Sequence, residues 1–168
     1  MTGEVFAAID VGSYEMALKV FELSSKNGVR ELDYVRHRMD LGSETYATGR
    51  ISHRHVDEMI RILCDFRQIM KGYGVTHYQA YGTSAVRETK DIVVVRDLIE
   101  QRTGIHIDIL SNSEQRFLDY KSIALKHGNF KEIIAKPTAI VDIGGGSIQI
   151  SLFEKDTWLL LRTFVPEF

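Results

Sequence analysis

One pattern occurs twice in this chain, and it constrains the fold more than any other feature. Ala8-Ile9-Asp10-Val11-Gly12-Ser13 and Ile140-Val141-Asp142-Ile143-Gly144-Gly145-Gly146-Ser147 each carry an apolar strand into an aspartate, a glycine turn and a serine. Hairpin-like sequence follows both. Such a restart predicts two half-domains built on one plan, facing each other across a cleft.

The elements between the repeats read as βββ-α-β-α-β-α. Val5–Asp10 is a buried strand and Met16–Leu23 a second one. Ser24-Ser25-Lys26-Asn27-Gly28 is turn chemistry, and Val29–Leu41 returns as a polar strand suited to a sheet edge. Ser52 caps a helix with Val56, Met59, Ile60, Leu63, Phe66 and Met70 on one face, ending at Gly72. His77–Tyr81 is a fourth strand. Asp91 caps a helix that stops at Gly104, and Ile105, Ile107 and Ile109 alternate as a fifth strand. Ser111-Asn112-Ser113-Glu114 has capping-box spacing and opens a helix to His127, with Gly128 as its stop. Beyond Pro137 come strands Thr138–Ile143, Ile148–Glu154 and Trp158–Phe164, the last two around Lys155-Asp156.

A meander followed by βα units predicts an α/β fold with a mixed five-stranded sheet over residues 1–135. Residues 136–168 then begin a second half-domain. A two- or three-stranded sheet does not bury its apolar face unaided. The expectation is therefore a piece of a longer polypeptide, or association of the tail with a second copy as a homodimer.

With 168 residues, 44% of them hydrophobic, the chain has material for one ordinary domain core. The net charge of -2 supplies no basic field for nucleic acid. Cys64 is the only cysteine, which excludes an internal disulfide and a multi-cysteine zinc site; its place on a helical apolar stripe predicts a buried thiol. The apolar stretch Val5–Ile9 is too short for a signal peptide, and no run approaches the roughly 20 residues that span a bilayer. A cytoplasmic protein without a membrane partner is expected.

Glycine turns lack Cβ atoms and present successive backbone N–H groups, a concavity that suits phosphate oxygens. A serine hydroxyl adds a donor, and an aspartate at the strand end can hold a divalent cation. A single Asp-x-Gly-Ser is as readily a structural hairpin turn. Three consecutive glycines carry a conformational cost that argues for function. In Gly82-Thr83-Ser84-Ala85-Val86-Arg87-Glu88, Arg87 either forks onto phosphate or pairs on the surface with Glu88 or Asp91. Glu114 either caps its helix, which position alone favours, or orients water for attack on phosphorus. The six histidines show no metal-ligand spacing and are expected at the surface.

These motifs, in this order across nearly the whole chain, resemble the exopolyphosphatase/guanosine-pentaphosphatase family of the actin-like, sugar-kinase and Hsp70 superfamily. The pieces that carry the resemblance are Ala8–Ser13, Gly82–Glu88, Leu110–Glu114 and Val141–Ser147. It implies ribonuclease-H-like (actin-like ATPase) half-domains that hydrolyse polyphosphate or pppGpp with magnesium. By the same resemblance Gly12 and Ser13, and Gly144, Gly145, Gly146 and Ser147, bind phosphate, with Arg87 as a further contact. Asp10 and Asp142 are then candidate Mg2+ ligands, and Glu114 the catalytic base.

The chain departs from the family pattern in places. Tyr14-Glu15 stand where the family reads Asn-Ser, and Ile148-Gln149 where it reads Thr-Glu. Asn112 replaces a glycine, and Gln115-Arg116 replace Glu-Ala. Glu15 brings a charge that repels phosphate, and Gln149 keeps the shape of glutamate without its charge. Two other readings follow: a module that binds polyphosphate or an alarmone without turnover, and an actin-like or sugar-kinase ATPase. The latter needs an adenosine-binding segment that these residues do not contain.

Overall fold

The computed structural model describes residues 3–127, 130–154 and 157–164. Gly128 as a helix stop and the Lys155-Asp156 turn lie outside them. The chain divides into two compact units, Met1–Ile109 and Leu110–Phe168.

The first unit is built on a five-stranded sheet of order β3-β2-β1-β4-β5. Strands β1 (Glu4–Val11), β2 (Glu15–Ser24) and β3 (Gly28–Arg38) form the antiparallel meander, and β4 (His77–Gly82) and β5 (Asp108–Ile109) run parallel to β1. The sheet is mixed, as the sequence predicts, and β3 is its edge. Gly28 sits at φ 71° in the β2–β3 turn, the left-handed conformation that glycine adopts without strain. Between Val20 and Phe21 the register shifts: Val20 faces Asp33 and Phe21 faces Glu31.

One sheet face carries the core. Ala7, Ile9 and Val11 of β1 lie opposite Val20, Leu18 and Met16 of β2, all buried. Helix α2 (His53–Gly72) sets Val56, Met59, Ile60, Leu63, Phe66 and Met70 against this face and packs beside α4 (Ile92–Thr103). Its N-cap is Ser52, whose hydroxyl accepts the His55 N–H, and α4 ends on Gly104 at φ 70°. Cys64 is half-buried against the core rather than enclosed by it.

Five local expectations change. The third strand ends at Arg38, and Leu41–Thr48 is a helix, α1, capped by Asp40. A single turn, α3 (Ser84–Arg87), replaces the loop after β4. Only Asp108–Ile109 of the fifth strand pairs, although Ile105 and Ile107 are buried as their alternation requires. Asp91 flanks α4 without capping it, because its carboxylate lies 3.0 Å from Arg50 Nη1. His55 is also buried, 2.5 Å from Glu44 Oε2, where a surface histidine was expected.

The second unit comprises α5 (Asn112–His127), α6 (Phe130–Ile134) and an antiparallel sheet of order β6-β7-β8. Its strands are Thr138–Ile143, Ile148–Glu154 and Thr157–Phe164. Tyr120, Phe130 and Phe153 pack ring against ring, with centroids 5.4–6.0 Å apart, and hold the middle of α5 on the sheet.

Gly82 is where β4 comes closest to its neighbours: a Cβ there would lie 2.8 Å from Ile109 Cδ1 and 3.3 Å from both Ile107 and Val86. Gly82→Ala should therefore cost about 1–3 kcal/mol through overpacking. Gly72→Ala, at a helix position with nothing within 4 Å, should instead stabilise by about 0.5–1 kcal/mol. Urea unfolding of the two variants checks the opposite signs.

Candidate functional site

Both Asp-x-Gly motifs close in the same register. In the first, Val11 pairs with Met16 and the Gly12 N–H donates to the Glu15 carbonyl at 3.0 Å. In the second, Ile143 pairs with Ile148 and the Gly144 N–H donates to the Ser147 carbonyl at 2.9 Å. Asp10 and Asp142 thus occupy the same place, two residues before the closing glycine. The serines do not. Ser13 is the second residue of its turn and Ser147 the fourth, so the position matching Ser147 holds Glu15.

The first turn is fastened from outside. Its Ser13 and Tyr14 carbonyls accept the N–H groups of Gly42 and Met39, each at 2.8 Å. Ser13 is 4% exposed, and its Oγ lies 2.8 Å from both Tyr46 Oη and Ser84 Oγ. Tyr46 donates to Ser84 at 2.9 Å, which closes a triangle of three hydroxyls, and the Ala85 N–H donates to Ser13 Oγ at 3.2 Å. The Ser13 hydroxyl therefore ties the first turn to α1 and to the start of α3. Tyr46 is a member that sequence reasoning missed, because nothing in Leu41–Thr48 marks it as a partner of Ser13.

This bond brings Gly12-Ser13 together with the Gly82–Arg87 motif. Arg87, the last residue of α3, is largely buried with its Nε 3.5 Å from Glu88 Oε1. It is not a surface pair with Asp91, which is engaged by Arg50. Asp10, next to last in β1, lies on the sheet face away from the core and is exposed. The two unusual turn residues have cationic neighbours: the Arg38 guanidinium lies 4.8 Å from the Tyr14 ring centre and donates to its hydroxyl, while Arg36 lies 3.8 Å from the Glu15 carboxylate. That countercharge offsets part of the repulsion Glu15 would exert on an anion.

In the second unit α5 reaches the strands beside the second turn through residues that follow Glu114. Gln115 Nε2 donates to Asp142 Oδ2 at 3.2 Å, Arg116 to Thr163 Oγ1 at 2.6 Å, and Tyr120 to Ser151 Oγ at 2.6 Å. Glu114 itself completes a reciprocal capping box: the Ser111 N–H donates to Glu114 Oε2 at 2.8 Å, and the Glu114 N–H donates to Ser111 Oγ at 3.2 Å. The backbone hydrogen bond from Ser111, then its side chain, hold the Glu114 carboxyl below the usual glutamate value. Ser147 is buried, and Gly144 and Gly145 are exposed.

Among the described residues no three His, Cys, Asp or Glu side chains cluster as a metal site. The second unit nonetheless offers oxygen donors that suit a hard divalent cation. Asp142 is half-buried, and directly opposite it on β7 stands Gln149, 1% exposed, with neither amide atom hydrogen-bonded. An orphaned buried carbonyl beside a carboxylate fits an oxygen-ligated ion.

A mixed sheet whose first hairpin turns on Asp-x-Gly, followed by the first strands of a second unit turning the same way, is the ribonuclease-H-like arrangement of the actin-like ATPase fold. The sequence model of the Ppx/GppA phosphatase family matches residues 24–161. The chain belongs to that family. It is 25% identical over 143 residues to exopolyphosphatase 1 of Mycobacterium tuberculosis, covering 85% of this chain and 40% of that relative. An exopolyphosphatase structure from Cytophaga hutchinsonii superposes with a TM-score of 0.79 at 23% identity, covering 96% of this chain and 50% of that one. The Ppx/GppA family member of Aquifex aeolicus gives 0.78 at 18% identity, covering 96% and 51%. The chain thus spans 40–51% of the length of these proteins.

Two outcomes test this geometry. Ser13→Ala should lower stability by about 1–3 kcal/mol, since it strands the buried Ala85 N–H and opens the hydroxyl triangle; an unchanged urea midpoint would place the Ser13 hydroxyl outside the fold's support. The folded pKa of Glu114 lies below its unfolded one, so the stability this gives is present above the usual glutamate range and is lost as pH falls through the lowered value. NMR titration should find Glu114 below 4.5, and Ser111→Ala should move it back up.

Proposed function

We propose that this chain supplies phosphate-binding and water-activating residues of a phosphoanhydride hydrolase that acts on inorganic polyphosphate, with guanosine pentaphosphate as the other candidate substrate. The observation that carries the reading is the repeated Asp-x-Gly hairpin, closed in one register in both units, in a chain of the Ppx/GppA phosphatase family. Because the chain spans 40% of the length of its mycobacterial relative, turnover is assigned to a polypeptide that contains this chain and the remainder of that length. The half-domains would then be residues 1–135 and a second beginning at 136.

In this reading Gly144, Gly145 and Gly146 keep their turn clear of Cβ atoms, so that its backbone can approach phosphate oxygens, and Ser147 adds its hydroxyl. Gly12 plays the same part in the first turn, where Ser13 acts chiefly by positioning it. Arg87 contributes a charge-assisted hydrogen bond to phosphate. Asp10 and Asp142 are the carboxylates that would hold Mg2+, which when bound offsets negative charge on the phosphate chain.

Glu114 accepts a proton from water as the water oxygen bonds to the terminal phosphorus and the P–O anhydride bond breaks, releasing orthophosphate and a chain one unit shorter. Its depressed pKa keeps it a carboxylate at neutral pH, and the capping bond engages Oε2 alone. The acid limb of the pH–rate profile should accordingly fall below the usual glutamate range.

A non-catalytic polyphosphate- or alarmone-binding module is the second reading, favoured by the neutral Gln149 and by the use of Ser13 within the fold. Phosphate release and polyphosphate binding by the longer polypeptide separate the two. For the hydrolase, Glu114→Gln should lower turnover by at least about a hundredfold with binding kept. Arg87→Ala should weaken binding by about 1.5–3 kcal/mol. Tight binding with a rate at background, unmoved by Glu114→Gln, would leave the binding module standing.

A further inference from the structure

Arg38 is the last residue of β3, and its guanidinium is not paired with the acid that faces it. In register it stands directly opposite Glu15 on β2. Cross-strand neighbours of opposite charge attract one another and commonly pair. Here the Glu15 carboxylate goes instead to Arg36, 3.8 Å away, while Arg38 lies over the Tyr14 ring and donates to its hydroxyl. The remaining lysine and arginine of these two strands are also paired, Lys19 with Glu31 and Arg30 with Glu22, each at 2.9 Å. Among the described residues Arg38 has no carboxylate partner.

Its place is fixed by the turn beside it. The N–H of Met39, next in the chain, donates to the Tyr14 carbonyl at 2.8 Å, and the Gly42 N–H holds the Ser13 carbonyl at the same distance. Tyr14 belongs to the Gly12–Glu15 turn itself and is 43% exposed. A guanidinium stacked on a ring keeps its N–H edge free, and only part of that edge is spent on the Tyr14 hydroxyl.

We propose that Arg38, aimed by Tyr14, is a second phosphate-contacting cation at the first turn, binding oxygens of a phosphate chain alongside Gly12. The inference rests on the function proposed above and adds a residue to it. Arg36 answers the charge of Glu15, so Arg38 is left as the net positive charge at a turn that would otherwise repel an anion. Tyr14 also gains a reason: it carries a donor from β3 to the place where a short amide would have supplied one from the turn. In the purely structural reading Arg38 packs on Tyr14 for stability alone. That leaves unexplained why it forgoes Glu15, since an exposed cross-strand ion pair and an exposed cation–ring contact are of similar strength.

The test is binding of inorganic tripolyphosphate to the longer polypeptide, read by calorimetry over a range of salt. Arg38→Ala should weaken it by at least about tenfold and flatten its salt dependence, a pair of effects that loss of a packing contact does not produce. Arg38→Lys, which keeps the charge without the fork, should lose less. Tyr14→Leu leaves Arg38 present but unaimed and should weaken binding too. Urea midpoints near wild type are expected for all three, because both side chains are exposed. Guanosine triphosphate presents the same phosphate oxygens and should lose affinity by the same factor. A loss confined to the nucleotide would put the pair under a base and overturn the proposal, as would wild-type tripolyphosphate affinity in folded Arg38→Ala. If Arg87→Ala still weakens binding in that case, the function proposed above stands without Arg38. If the wild type binds no tripolyphosphate, both fall.

Discussion

Strand β1 is hydrogen-bonded along both edges, antiparallel to β2 and parallel to β4, and its inward residues Ala7, Ile9 and Val11 are buried. The residues of the first unit that the proposed function uses hang from its carboxyl end. Because β1 and β4 are parallel, the Asp10–Ser13 turn and the Gly82–Arg87 segment emerge at the same end of the sheet. Because β2 and β3 are antiparallel, Arg36 and Arg38 return to that end beside Glu15 and Tyr14. The register of one central strand thus gathers residues dispersed over some eighty positions of sequence.

What holds those pieces in place is a small buried hydroxyl cluster. Each of the three hydroxyls has one proton to donate, and Ser13 Oγ must also receive the Ala85 N–H. The triangle satisfies all of them without water. A hydroxyl so engaged is worth more as a positioning group than as a ligand, since freeing it would strand a buried amide. In the proposed function, anion contact then falls to the backbone and to Arg87.

The second unit combines aromatic and polar contacts along one helix. Tyr120, with Phe130 and Phe153, supplies close packing at the middle of α5, while Gln115 and Arg116 reach strand side chains nearer its start. The capping box at Ser111 and Glu114 fixes where the helix begins, so Glu114 serves the fold whatever else it does. Its position at the helix start is set by the backbone, and the next residue, Gln115, is the one that reaches Asp142.

The alternation of apolar residues, the Asn-Gly and Gly stops and the repeated Asp-x-Gly motif determined the strands, the mixed sheet and the two turns, because these depend on local periodicity and on backbone conformations that few residues tolerate. Local pattern also marked Ser52 as a cap and Ser111–Glu114 as a capping box, since both bonds close within three residues. Tertiary structure alone decided the rest. Asp91 reads as a cap but is drawn to Arg50, His55 reads as exposed but is buried on Glu44, and the fifth strand pairs over only two of its residues. The link of Ser13 to Tyr46 and Ser84, and the unanswered polar atoms around Gln149, were likewise invisible. Each depends on side chains about thirty or more residues apart meeting in a buried space, and no spacing in the chain encodes such a meeting.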